Sequence, residues 1–511
     1  MSMPARALFT LAAIALSSIV NAQTTCAELL AVTQPDLRVI GATAIDPAPA
    51  WRTPPAATSE QPVEVRVPFC RVEGIIEKEI VFELWLPAHP TWNRRFLGVG
   101  NGGDAGFINY QDLARGVQRG FATSSTDTGH KRTDARWALG KPDRVENFGH
   151  RAQHLLAVHT KELIKRYYGS THRNAYFIGC SGGGAQGLIT AQRYPNDYDG
   201  IISGAGGVGM LPLSARILAT ALFQEKHPEY ALSREQWTRV FESTLAACDK
   251  IDGVTDGVVN DPATCQFDPG VLQCSATPST DCLSVAQVKT VRDAYAPLRD
   301  ESGVQLDPGF PPGAQYQPVP RQIGIAGLLF GDWTYQNENW NVREFSLARD
   351  VPPARDKFWF LMFPQPDLHA FQRSGGKLIT YHGWMDEIVP PGLTIGLHGS
   401  VVNSVGKDTQ KSFRLFMAPG MAHCRRGNGP DSFGQAFAGD PPIVDAEHDM
   451  LSALMRWVEN GKAPEKIVAS RVVNDQVAVT RPLCPYPQRA QYQGKGDVND
   501  AKNFTCSVIE R

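Results

Sequence analysis

Gly179-Cys180-Ser181-Gly182-Gly183 has the G-x-S-x-G form of a nucleophile elbow. The glycines have a steric purpose, because a turn sharp enough to hold a serine hydroxyl above a sheet presses the flanking positions against their neighbours. An ordinary glycine turn shares the pattern, so its context decides: Ala175-Tyr176-Phe177-Ile178-Gly179 reads as a buried strand and 185–194 as a helix. A serine hydroxyl attacks a carbonyl when an imidazole takes its proton and a carboxylate fixes that imidazole's tautomer. In this arrangement the chain order is serine, acid, histidine. Asp386 and His423 fit it, each just beyond a strand-like run. Glu387 competes with Asp386, and His382 and His130 with His423, but only His423 follows the acid at a fitting place. Charge developing on the carbonyl oxygen calls for backbone N–H donors. Gly182 and the loop Asn101-Gly102-Gly103 are the natural suppliers, with Gly103 preferred to Gly102, unless that loop is merely tight.

The order of elements around these residues implies an α/β-hydrolase fold, a doubly wound and mostly parallel sheet with a large inserted lid. Alternation in Val63-Glu64-Val65-Arg66-Val67 and in 80–86 predicts strands with an antiparallel start. Further strands are expected at 95–100, 199–204, 376–383 and 413–417, and helices over 151–168, ended by Gly169, and 445–460, stopped by Gly461. Between 206 and 367 cysteines, Pro-Pro pairs and short helical stretches replace the strand-helix alternation, which places a lid there and the catalytic domain at 23–205 and 368–511. Arg6 followed by a short apolar run, with small residues at Val20 and Ala22, reads as a secretory signal over 1–22, so a secreted or periplasmic enzyme is expected.

The sequence has 511 residues, 50 basic against 52 acidic, and a net charge of -2, which gives no electrostatic case for nucleic acid or an anionic membrane as partner. Ten cysteines in an exported chain imply disulfides. Proximity pairs Cys248 with Cys265, Cys274 with Cys282 and Cys484 with Cys506. Cys180 precedes the serine and Cys424 follows the histidine, so a bridge between them would tie the two loops together, leaving Cys26 for Cys70. Two free buried cysteines are the alternative. In the lid, Asp249, Asp252 and Asp256 occupy a glycine-broken loop whose oxygens, with the carbonyls of Val254 and Val258, suit calcium. The spacing is not that of an EF-hand, and an acidic solvated turn has the same composition.

Together these features resemble the tannase and feruloyl esterase family, which includes the esterase that cleaves mono(hydroxyethyl) terephthalate. The likeness spans nearly all of the mature chain. Its most specific marker is the set Cys180-Ser181, Asp386 and His423-Cys424, and Arg151-Ala152-Gln153-His154 and Trp457-Val458-Glu459-Asn460-Gly461 are similar too. The resemblance implies the Cys180–Cys424 bridge, a structural calcium on Asp249, Asp252, Val254, Asp256 and Val258, and no organic cofactor. It also implies hydrolysis of small esters of aromatic acids beneath the lid. Feruloyl-type esters come first, with galloyl or terephthalate monoesters as the alternative. Phe330, Trp333, Tyr335 and Trp340 could stack on a phenyl ring or simply pack, and Arg321 could meet a substrate carboxylate. A peptidase on the same fold, or an exported polyphenol-binding protein with a decayed triad, are the remaining readings.

Overall fold

The computed structural model describes residues 24–55, 61–207, 209–275, 281–362 and 366–508, so the expected signal over 1–22 lies outside the described residues. Ten strands form one sheet: β1 Thr33–Gln34, β2 Leu37–Ile45, β3 Phe69–Ile76, β4 Ile80–Pro87, β5 Arg95–Val99, β6 Ala122–Thr126, β7 Asn174–Cys180, β8 Gly200–Gly204, β9 Lys377–Gly383 and β10 Phe413–Ala418. Their order is β1-β2-β3-β4-β6-β5-β7-β8-β9-β10, antiparallel from β1 through the β4–β6 pair and parallel from β6 to β10. The sequence explains the change. In β3 fully buried residues mostly alternate with half-buried ones, as in a sheet wetted on one side, whereas β7, β8 and β10 are buried on both faces apart from Asn174.

Helices cover both faces. On one, α2 (Ala152–Tyr168), α3 (Gly182–Arg193) and α6 (Pro391–Val405) pack against Phe82, Phe96, Phe177 and Ile201; on the other, α1 (Tyr110–Gln118) and α7 (Met450–Asn460) pack against Leu97, Ile178, Ile202 and Tyr381. Gly169 and Gly461 end α2 and α7 in left-handed conformations, with φ of 67° and 70°, as expected of C-terminal glycines.

Two of the expected elements take other bounds. The alternation at 63–67 yields only Glu64–Val65, paired with Trp51–Arg52 outside the main sheet. The last helix starts at Met450, not near 445, because Asp449 accepts the Ser452 N–H at 2.6 Å and caps it, while Asp445 accepts Glu447 and His448 N–H in the turn before.

Between β8 and β9 the chain leaves the sheet and builds further helices, among them α4 (Met210–Lys226) and α5 (Pro320–Leu328). One apolar cluster here joins Leu211, Leu218, Phe330 and Trp333 to Ala105, Trp137 and Phe148, so this excursion is seated on the segment that follows β5 and β6. Five disulfides are present: Cys26–Cys70, Cys180–Cys424, Cys248–Cys265, Cys274–Cys282 and Cys484–Cys506. No helix among the described residues is long and apolar enough to cross a membrane.

Candidate active site

Strand β7 delivers the chain to Ser181, whose φ of 60° and ψ of -124° fall where L-residues seldom go, and α3 begins at the next residue. Gly182 tolerates no side chain: a Cβ there would lie 2.6 Å from the Gly103 carbonyl oxygen and 3.3 Å from its nitrogen. At Gly179 a Cβ would meet the Gly183 carbonyl at 2.4 Å. The elbow is held by the Ser181 N–H donating to Gly204 O at 2.8 Å, a bond to the end of neighbouring β8. As the first residue of α3, Gly182 has an N–H with no partner inside the helix, and Gly103 lies directly beside it.

Asp386 follows β9 and is fully buried. Its Oδ1 accepts the N–H groups of Ile388 and Val389 at 2.9 and 2.8 Å; its Oδ2 meets His423 Nδ1 at 2.7 Å and His382 Nε2 at 3.1 Å. The carboxylate thus commits the Nδ1 hydrogen of His423 and leaves Nε2 as the acceptor. Burial alone would make Asp386 a weaker acid, but the two imidazoles outweigh it and hold the carboxyl below its ordinary range. Burial likewise lowers His423, and the Asp386 charge and hydrogen bond, with the Glu387 charge, overcome it, so His423 titrates above the ordinary histidine value. Only neutral His423 can accept a proton. The rate constant kcat/KM should therefore rise with pH on its acid limb with a midpoint above about 6.5. A pH profile on a neutral ester checks this; a midpoint near 5 would contradict it.

The competing residues have other places. His382 is buried on the far side of Asp386; its Nε2 faces two acceptors, Asp386 Oδ2 and Val389 O, and its Nδ1 accepts from Thr394 Oγ1 at 2.7 Å. His130 is buried, stacks on Trp137 at 3.8 Å and hydrogen-bonds to Asp104 O at 2.8 Å. Glu387 accepts the His423 backbone N–H at 3.3 Å, and its carboxyl is pushed upward by burial and by the Asp386 charge. Ser181 and His423 open on one cavity of about 440 Å³, which Gly102, Gly103, Gly182 and Cys424 also line. The Cys180–Cys424 bridge, with Cα atoms 6.1 Å apart, fastens the residue before the serine to the residue after the histidine.

The cavity walls correct the expected substrate contacts. Phe330 and Trp333 are fully buried: Phe330 packs on Phe345 at 4.8 Å, and Trp333 on Trp137 and Phe148 at 5.3 and 5.4 Å, and neither lines the cavity. The chain after α5 turns inward, so their rings fill the apolar core shared with α4, Trp137 and Phe148 instead of facing the serine. Tyr335 donates to Asp350, and Trp340 borders a separate outer groove. Arg321 does line the cavity, with Nη2 3.8 Å from Asp104 Oδ1. The walls missed in the sequence are Met210, Leu213, Ser214 and Ile217 on α4 and Gln322, Ile325 and Ala326 on α5, with Phe107 and Phe437. The α4 set has the i, i+3, i+4, i+7 spacing of a buried helix face, a signal that core packing produces equally well.

At the aspartate loop, Asp249 accepts the N–H groups of Asp256 and Gly257 at 3.2 and 3.0 Å, and Asp256 pairs with Arg481. Burial, with the neighbouring Asp256 and Asp249 charges, pushes Asp252 up to about 6. Hard oxygen donors crowding one another fit a divalent cation in kind. As placed, no group of three or more His, Cys, Asp or Glu side chains among the described residues converges to hold a metal ion.

The mixed sheet with a strand-elbow-helix serine and a buried acid-imidazole pair defines an α/β-hydrolase. The sequence model of the family described as "Tannase and feruloyl esterase" matches residues 64–352 and 361–507. The chain is 35% identical to an uncharacterized esterase of Xanthomonas campestris pv. campestris, over 98% of this chain and 94% of that protein. It is 32% identical to a probable feruloyl esterase B-1 of Aspergillus flavus, over 86% of each. The crystal structure of feruloyl esterase B from Aspergillus oryzae superposes with a TM-score of 0.86 at 30% identity, covering 94% of this chain and 99% of that one. Tannin acyl hydrolase from Aspergillus niger shares the fold, with a TM-score of 0.75 at 21% identity and 95% of each chain covered. The chain belongs to the tannase and feruloyl esterase family and is a carboxylic-ester hydrolase.

Proposed function

We propose that this is an exported serine esterase that hydrolyses esters of aromatic, feruloyl-type acids through an acyl-enzyme. The observation that carries the reading is that Ser181 and His423 share one cavity while Asp386 binds His423 Nδ1 at 2.7 Å behind it. His423 takes the Ser181 proton as Oγ attacks the ester carbonyl. The N–H groups of Gly182 and Gly103 meet the oxyanion, and collapse of the tetrahedral adduct expels the alcohol with the same proton. Water, deprotonated by His423, then releases the acid and restores Ser181. The largely apolar walls suit an aromatic acyl group, and the relatives named as feruloyl esterases support that choice. Export is supported by the five disulfides, which need an oxidising compartment. We assign the excursion between β8 and β9, about 206–367, as the lid, since α4 and α5 roof the cavity.

A second reading is favoured by Arg321, a cation at the wall of this cavity, which suits a substrate with a free carboxylate such as a terephthalate monoester. Rates on methyl ferulate, methyl gallate and mono(hydroxyethyl) terephthalate separate the readings, with methyl ferulate expected fastest. If Arg321 recognises a carboxylate, Arg321→Ala lowers kcat/KM on the terephthalate monoester roughly ten-fold and leaves methyl ferulate nearly unchanged, the size of one charge-assisted hydrogen bond at a part-exposed site. Equal losses on both substrates would count against that role.

Calcium is proposed at Asp249, Asp252 and Asp256 with the carbonyls of Val254 and Val258, on the donor chemistry and on the family likeness. Its role is structural, as none of these residues lines the catalytic cavity. Chelation should then lower Tm while KM stays within two-fold, since a ligand at 100 times its Kd stabilises the folded state by about 2.7 kcal/mol. An unchanged melting curve with and without chelator would rule calcium out.

A further inference from the structure

The Arg151-Ala152-Gln153-His154 motif has no part in the chemistry above, yet one of its side chains reaches beneath the active site. Gln153 on α2, Gln186 on α3 and Asn101 on the loop after β5 form a fully buried amide cluster. Gln186 Oε1 accepts two hydrogen bonds, from the Asn101 backbone N–H at 3.1 Å and from Gln153 Nε2 at 3.1 Å, and Gln153 Nε2 also lies 3.5 Å from Asn101 Oδ1. The Asn101 side chain is held in turn, its Nδ2 donating to Phe107 O at 2.6 Å and Thr126 O at 3.0 Å. Gln186 Nε2 and Gln153 Oε1 have no hydrogen-bond partner. A buried carboxamide with its oxygen doubly used and its nitrogen unused is placed for its acceptor.

Gln186 lies one helical turn beyond Gly182, and Asn101 two residues before Gly103. The two backbones meet without side chains between them: a Cβ on Gly100 would lie 2.8 Å from Gly183 Cα, and one on Gly183 would lie 3.1 Å from Asn101 N. We infer that Gln186, braced by Gln153, is a positioning residue that sets the separation of the two oxyanion donors by holding the Asn101 amide against α3. The inference rests on the serine-esterase reading proposed above, with Gly182 and Gly103 as those donors. Donors prepared for the transition state act on kcat, whereas ground-state substrate binding draws on the cavity walls and fixes KM.

The test compares Gln186→Met, which keeps the volume and loses the acceptor, with Gln186→Glu, which keeps an acceptor oxygen. Rates are expressed per active site titrated with a p-nitrophenyl ester burst. Phenylboronic acid serves as probe, since its boron takes Ser181 Oγ, the proton passes to His423, and a boron-bound oxygen occupies the oxyanion position. Gln186→Met should lose about ten-fold in kcat and about ten-fold in boronate affinity with KM within two-fold, and Gln186→Glu should recover most of both. Unchanged kcat per titrated site in Gln186→Met, or equal losses in the two variants, would overturn the inference. Should Gln186→Met fail to fold, Gln153→Met removes only the brace, and about a three-fold loss in kcat and boronate affinity is expected; no loss there overturns it too. Failure of the underlying reading looks different: the wild-type enzyme would then show no burst and no inhibition by the boronate.

Discussion

Ser181→Ala should abolish ester hydrolysis, lowering kcat by roughly a million-fold while the protein stays folded and continues to bind substrate. The size follows from the geometry. In the proposed mechanism Ser181 supplies the atom that first attacks the acyl carbon, and neither Asp386 nor His382, both fully buried, can replace it. The substitution should leave stability close to that of the wild type, because alanine keeps the same Cβ at φ 60° and only the hydroxyl is lost. Turnover of p-nitrophenyl esters at the wild-type rate by this variant would instead favour a binding protein with an incidental hydrolytic surface.

The second large effect is expected for Asp386→Asn, about ten-thousand-fold in kcat. The asparagine would keep the volume. Its oxygen could still accept two donors, yet its NH₂ group would face either the amides of Ile388 and Val389 or the imidazoles of His423 and His382, all of which now donate to the carboxylate. His423 would be driven to the tautomer with hydrogen on Nε2, which cannot accept the serine proton. With the carboxylate charge gone, the histidine would lose its main source of basicity, so residual activity should show an acid limb displaced to lower pH. Steady-state kinetics across pH checks both features. A loss under ten-fold would mean that Glu387, which touches the His423 backbone, carries the acid's role.

Much of this site was legible in the sequence because its chemistry is local. The elbow needs glycines at fixed offsets, the histidine and acid follow strands, and cysteines flank the serine and histidine directly. The sheet was legible where strands are continuous buried runs, as in β7 and β10. It was obscured in β2, where Leu37–Ile45 buries only two of nine residues and depends on pairing with β3 for its place. The excursion between β8 and β9 was obscure for another reason. An aromatic residue near a site in sequence can face either the core or the ligand, and Phe330 and Trp333 face the core because the chain after α5 turns toward Trp137 and Phe148. The aliphatic stripe on α4 carried the opposite ambiguity, since a helix face that greets a substrate has the same spacing as one that greets a sheet. Gln186 carries no signal in the sequence, its importance residing in a contact across 85 residues of chain.

The most direct measurement of the central claim is to react the enzyme with a fluorophosphonate, digest it, and locate the adduct by mass spectrometry. A single phosphonyl group on the peptide containing Ser181, with activity lost in proportion and labelling slowed in Asp386→Asn, is the predicted result. An adduct on another residue, or full activity in protein labelled at Ser181, would contradict it.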